Sequence, residues 1–196
     1  MKSIYKITLI LIVGVIASSK AQSIPLFDLS QNNFQNNYFE DLDFDLDNYV
    51  GTWLYQQGTI SFKIVLQKKS HIYDNELNSY FDMLIGEYEY IENGITIINT
   101  LSQINDSSIG EFNHNINGYI LYKNKPTMYQ TDTRRVKLNF VDPLRPYLDN
   151  SIFLRRYNDV EQFIEMKLSG SMQIIQAGLP LDIRVPGGFY IFKKHL

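Results

Sequence analysis

The sequence predicts an all-β fold, an antiparallel up-and-down barrel of about eight to ten strands. Three observations carry this. From Ile60 to Leu66 every second residue is apolar: Ile60, Phe62, Ile64 and Leu66, with Ser61, Lys63 and Gln67 in the alternate set. A period of two places those sets on opposite faces of a strand. Asn93-Gly94 follows a long apolar run and supplies two residues that tolerate positive φ, as a type I′ hairpin turn requires. Short apolar runs then recur between clusters of turn residues, and no long segment has helical periodicity.

In chain order, the start is a targeting segment. Lys2 and Lys6 precede an apolar run from Ile7 to Ala17, too short to span a bilayer. Ser19-Lys20-Ala21 places small residues where a signal peptidase reads. The expected division is therefore 1–21 signal peptide, 22–48 flexible leader and 49–196 barrel domain. Cleavage near Ala21 removes Lys2, Lys6 and Lys20 and no acid, taking the formal charge from −3 to −6. An acidic surface disfavours nucleic acid as a partner. The chain has no Cys, which excludes a lipoprotein anchor and any disulfide. No second apolar span follows, so the expectation is a soluble periplasmic or extracellular protein.

The leader is rich in Asn and Gln between Gln31 and Asn37, then alternates Asp41, Asp43, Asp45 and Asp47 with Leu42, Phe44 and Leu46. A calcium loop of the EF-hand type needs Gly at its sixth position and Glu at its twelfth. Counted from Asp41, those positions hold Leu46 and Thr52. The better reading is a capping Asp before a short helical turn, with Leu46, Tyr49 and Val50 packed on the barrel end. Gly51-Thr52-Trp53 opens the first barrel strand. Tyr80 to Glu92 is long for one strand, and Gly86 inside it marks a bulge or sharp bend. A two-residue turn at Asn93-Gly94 pairs Glu92 with Ile95, Tyr90 with Ile97 and Tyr88 with Asn99. Further strands are expected at 116–123, 134–141, 151–157, 161–169 and 189–194, with a weak one at 172–176 and a loop at 125–133. A last strand paired back to the first would leave no open edge.

The segments Tyr38-Phe39-Glu40-Asp41, Leu46-Asp47-Asn48-Tyr49-Val50-Gly51-Thr52-Trp53, Phe62-Lys63-Ile64-Val65-Leu66 and Asp82-Met83-Leu84-Ile85-Gly86, with Tyr88, Tyr90 and Asn93-Gly94, resemble a family of small exported bacterial proteins of unknown function. The resemblance is strongest over residues 38–101. It implies export and a β fold and carries no activity. Gly51-Thr52-Trp53 on a first strand is also similar to the opening of lipocalin-type (calycin) barrels. That likeness implies a Trp closing one barrel end under a basic residue from the last strands, here Lys193 or Lys194. Gly51, Trp53, Gly86, Asn93 and Gly94 form the structural signature.

No catalytic constellation stands out, and the expectation is a protein that is not an enzyme. His71, His114 and His195 lack metal-ligand spacing and read as solvated histidines. Glu87 and Glu89 share a strand face, as paired carboxylates of a glycosidase do, but also as solvated acids do. Arg134-Arg135 and Arg155-Arg156 each straddle the pleat, so one of each pair can point inward and hold an anionic head group. Arg134, Arg156, Tyr88 and Tyr90 are therefore the candidate ligand residues. The expected function is a binding module for a small apolar or anionic ligand, without cofactor or metal. The alternative is an envelope or extracellular protein that meets another protein or a glycan. A hollow interior favours the first. An interior filled by Phe62, Tyr88, Tyr90 and Phe140 favours the second.

Overall fold

The alternating segments form strands in the computed structural model, which describes residues 23–26, 34–123, 134–158, 162–170 and 178–195. In order these are β1 (Ser23–Pro25), β2 (Tyr38–Glu40), β3 (Gly51–Gln57), β4 (Ile60–Asp74), β5 (Ser79–Glu92), β6 (Ile95–Asn99), β7 (Ile116–Lys123), β8 (Arg134–Phe140), β9 (Asn150–Asn158), β10 (Phe163–Gly170) and β11 (Gly188–His195). Eight of them, β3-β4-β5-β7-β8-β9-β10-β11, close into an antiparallel barrel. Closure is made where Lys193, Lys194 and His195 of β11 pair with Leu54, Trp53 and Thr52 of β3. The last strand thus returns to the first, and the barrel wall has no free edge at that seam. The segments 1–21, 125–133 and 172–176 with their expected roles lie wholly or almost wholly outside the described residues.

The barrel core follows from the alternation. Phe62, Ile64 and Leu66 of β4, Tyr88 and Tyr90 of β5, and Val136, Leu138 and Phe140 of β8 are all buried. Phe62 is the hub. Its ring lies 5.9 Å from Tyr88, 5.7 Å from Tyr90, 6.3 Å from Phe140, and 5.3 Å from each of Tyr190 and Phe192. The Phe62 contacts are all edge-to-face or nearly so, the arrangement ring quadrupoles favour. The barrel is filled by its own side chains.

Three local readings change. The Asn93-Gly94 turn has the expected positive φ at both residues, 53° and 75°. Beyond it, however, a bulge between Tyr90 and Ile91 shifts the register, so Tyr90 faces Ile98 and Glu89 faces Asn99. Ile98 joins Tyr90 in the core, while Ile95 is exposed. Gly86 is not at a bulge: it pairs in register with Leu66 on one side and Ile116 on the other. It is there because a Cβ would come within 2.5 Å of Leu66 Cδ2 and 2.8 Å of the Val65 carbonyl. Finally, described parts of the 22–48 segment are built onto the barrel, where a flexible leader was expected. β1 pairs in parallel with β2, and β2 in parallel with Tyr80 and Phe81 of β5. Phe39 stacks on Phe81 at 4.9 Å, and Leu26 and Phe39 are buried. Leu26 lies in the short run Ile24-Pro25-Leu26-Phe27 and Phe39 beside Tyr38, runs too short and too separated by Asn- and Gln-rich sequence for periodicity to detect.

Candidate functional site

Two of the four candidate ligand residues meet at one barrel end. The strand alternation of β8 and β9 places Arg134 and Arg156 in the same set as the inward residues Val136 and Leu154. Both lie at the end that Trp53 closes. Trp53 is buried, its Nε1 donates to the Tyr49 carbonyl at 2.7 Å, and Lys194 Nζ stands 5.3 Å over its ring. Of the two lysines the likeness allowed, Lys194 covers the Trp, because it is the residue directly opposite Trp53 in the β11–β3 register. Gly51 has φ +126°, and a Cβ on it would approach Lys194 Cε to 3.1 Å. The Gly-x-Trp signature therefore closes and packs one barrel end.

Over this end lies the acidic stretch, and its carboxylates are engaged by the protein itself. Asp41 Oδ1 accepts the Asp45 backbone N–H at 2.8 Å, and its Oδ2 accepts Leu46 N–H at 3.0 Å and Lys68 Nζ at 2.8 Å. The 3-10 turn Leu46–Tyr49 is thus capped from Asp41, and Leu46 and Tyr49 are buried beneath it. Lys68 also reaches Asp47 at 3.2 Å. Arg134 pairs with Asp45 and, at 3.4 Å, with Asp43. Burial pushes the Asp45 carboxyl up even though Arg134 pulls it down. Arg134 is therefore a clamp on the acidic turn rather than an open anchor for a ligand. Arg156 is exposed and lines a small cleft of about 190 Å³ with Trp53, Gln162 and Lys194.

Tyr88 and Tyr90 are elsewhere, inside the filled core. Tyr88 donates to the Val141 carbonyl at 2.9 Å, and the Tyr90 hydroxyl is buried without a partner. Burial raises both phenols above the ordinary tyrosine value.

Sequence reasoning missed two buried polar clusters. Glu87 is fully buried: its Oε1 meets His114 Nδ1 at 2.8 Å and its Oε2 accepts Asn115 Nδ2 at 2.7 Å. His114 is 3% exposed, so it is a buried partner of Glu87 and not a solvated loop histidine. Glu89, on the same strand face, is instead held by Lys63 and Asn99. The difference arises because the segment 101–115 folds over Glu87, a long-range event that strand alternation does not encode. Asp142, also fully buried, accepts Arg184 Nε at 3.0 Å and Nη2 at 2.6 Å, while Arg184 Nη1 donates to the Ile97 carbonyl. A cleft of about 410 Å³ is bordered by the buried residues Leu148, Leu168 and Val185, and two others lie outside the barrel wall. One, of about 440 Å³, is bordered by Asp74, Glu76, Phe112, Asn117, Tyr119 and Lys137. Another, of about 350 Å³, lies on the outer face of β8–β11.

A closed antiparallel eight-strand barrel with a Trp-and-lysine seal at one end defines a calycin-like class of protein. Within it, the chain belongs to a family of unknown function, DUF6705, whose model matches residues 1–195. No curated protein and no solved structure matches the chain.

Proposed function

We propose that this protein is an exported, non-catalytic interaction module, a solid barrel that binds with its outer surface. The observation that carries this reading is the enclosure of Phe62 by five aromatic rings. A carrier of a small apolar molecule needs an interior volume of a few hundred Å³, and here side chains occupy that position. The expected anionic anchor Arg134 is committed to Asp43 and Asp45. Clefts of about 440 and 350 Å³ open on the outer face of the wall. Export rests on the Lys2–Ala21 pattern. Cleavage after Ala21 would leave β1, which begins at Ser23, intact.

The test is a titration of the purified 22–196 chain with an apolar fluorescent probe such as N-phenylnaphthylamine. No saturable binding is expected. One-to-one saturation at micromolar concentration, competed by a fatty acid, would overturn the solid-barrel reading.

A further inference from the structure

The outer face of β7–β11 carries two adjoining rows of residues fixed by strand register. One row reads Tyr122, Arg135, Arg155, Glu165, Ile191 across β7, β8, β9, β10 and β11. The next reads Ile120, Lys137, Phe153, Lys167, Phe189. On a protein whose formal charge is −3, these rows hold Arg135, Lys137, Arg155 and Lys167 against the single acid Glu165. Cations and rings alternate along the second row, and Lys167 Nζ lies 5.6 Å over Phe189.

The first row contains a like-charge opposition. Arg135 and Arg155 are directly cross-strand, an arrangement that costs stability unless the charge is met. Glu165 meets Arg155 at 2.7 Å. Among the described residues, no carboxylate lies within ion-pair distance of Arg135. The Nε atoms of both arginines are shielded from solvent and have no hydrogen-bond partner. Buried donors of this kind are rare because each carries a desolvation cost. They border a groove of about 350 Å³ formed by Arg135, Phe153, Arg155, Glu165, Lys167 and Phe189, within the size range of small-ligand clefts, about 300–1,000 Å³. Phe189 is 66% exposed at its rim.

We propose that this groove binds an acidic glycan, a sugar chain bearing carboxylates. This rests on the outer-surface reading above and deepens it by naming the site and ligand class. A carboxylate seated between Arg135 and Arg155 takes hydrogen bonds from the accessible part of their guanidinium groups and adds negative charge to a pair that otherwise has only Glu165. The sugar ring lies on Phe153 and Phe189. Phe153 and Phe189 sit two strands apart, about 10 Å at the usual strand spacing, so a chain crossing the strands meets ring and cation in alternation. A cleft of about 350 Å³ has the size of a small-ligand site rather than of a flat bilayer surface, which favours the glycan.

The test uses the whole 22–196 chain and three probes: oligogalacturonate, a neutral oligosaccharide of equal length, and vesicles containing anionic lipid. Calorimetry is expected to show salt-sensitive binding of oligogalacturonate alone. Arg135→Gln is expected to weaken it at least tenfold while raising the melting temperature, since the like-charge opposition is removed; Phe189→Ala weakens binding with the melting temperature unchanged. Arg135-dependent binding to the vesicles and not to oligogalacturonate would overturn the proposal, as would no binding to any probe. A lower melting temperature in Arg135→Gln with unaltered binding would assign Arg135 a purely structural part and overturn it too. None of these results depends on the apolar-probe titration, so the groove and the solid barrel stand or fall separately.

Discussion

Phe62 shows how one residue type decides between a hollow and a solid barrel. Its side chain is fully buried among five rings, and truncation leaves a cavity on the barrel axis. Phe62→Ala is expected to cost about 3–5 kcal/mol, read as a shift of the denaturant midpoint with the slope unchanged. Gly86 acts through space alone. Because a Cβ there collides with the Val65 carbonyl as well as Leu66, Gly86→Ala is expected to destabilise by about 1–3 kcal/mol, although it replaces glycine in a strand, where alanine is otherwise preferred. An unchanged melting curve would contradict the packing described. The inward set Phe62, Ile64 and Leu66 was legible from alternation alone. Glu87 was not: alternation left the core face of its strand open, and its burial depends on His114 and Asn115 arriving from beyond β6.

At the scale of elements, caps and ion pairs hold loops to the barrel ends. Asp41 accepts two backbone N–H groups and Lys68. Asp41→Ala is expected to cost about 1–3 kcal/mol by leaving those groups unmet and to loosen the 3-10 turn, measurable as faster amide exchange at Asp45 and Leu46. A second buried carboxylate, Asp142, fixes Arg184 to the barrel. Burial pushes the Asp142 carboxyl up, but hydrogen bonds from Arg184 and Leu144 outweigh this and hold it below the ordinary carboxylate value. A depressed folded value contributes stability that is present above the unfolded value, about 3.9, and is lost as pH falls through the folded one. Asp142→Asn is therefore expected to be less stable at neutral pH and to show a flatter loss of stability below pH 4. A parallel acid limb in mutant and native protein would contradict it. The Asn93-Gly94 turn was readable because its φ demands are local. The bulge at Tyr90 was not, because it satisfies the Tyr90–Ile98 core contact.

For the whole molecule, the fold class followed from strand spacing and turn chemistry, and the Gly51–Trp53 motif located the closed end with Lys194 above it. The function did not follow, because the inward parity of Arg134 says nothing of the acids that fold over it from Asp43 and Asp45. The outer rows of cations and rings were equally hidden. They are scattered over β7–β11, and only register brings Arg135 to Arg155. The central claim is that the chain carries nothing inside its barrel. Native mass spectrometry of the purified 22–196 chain tests it most directly. The account predicts the bare mass of residues 22–196 in repeated preparations. A co-purifying species of a few hundred daltons, released on denaturation, would show an occupied interior and contradict it.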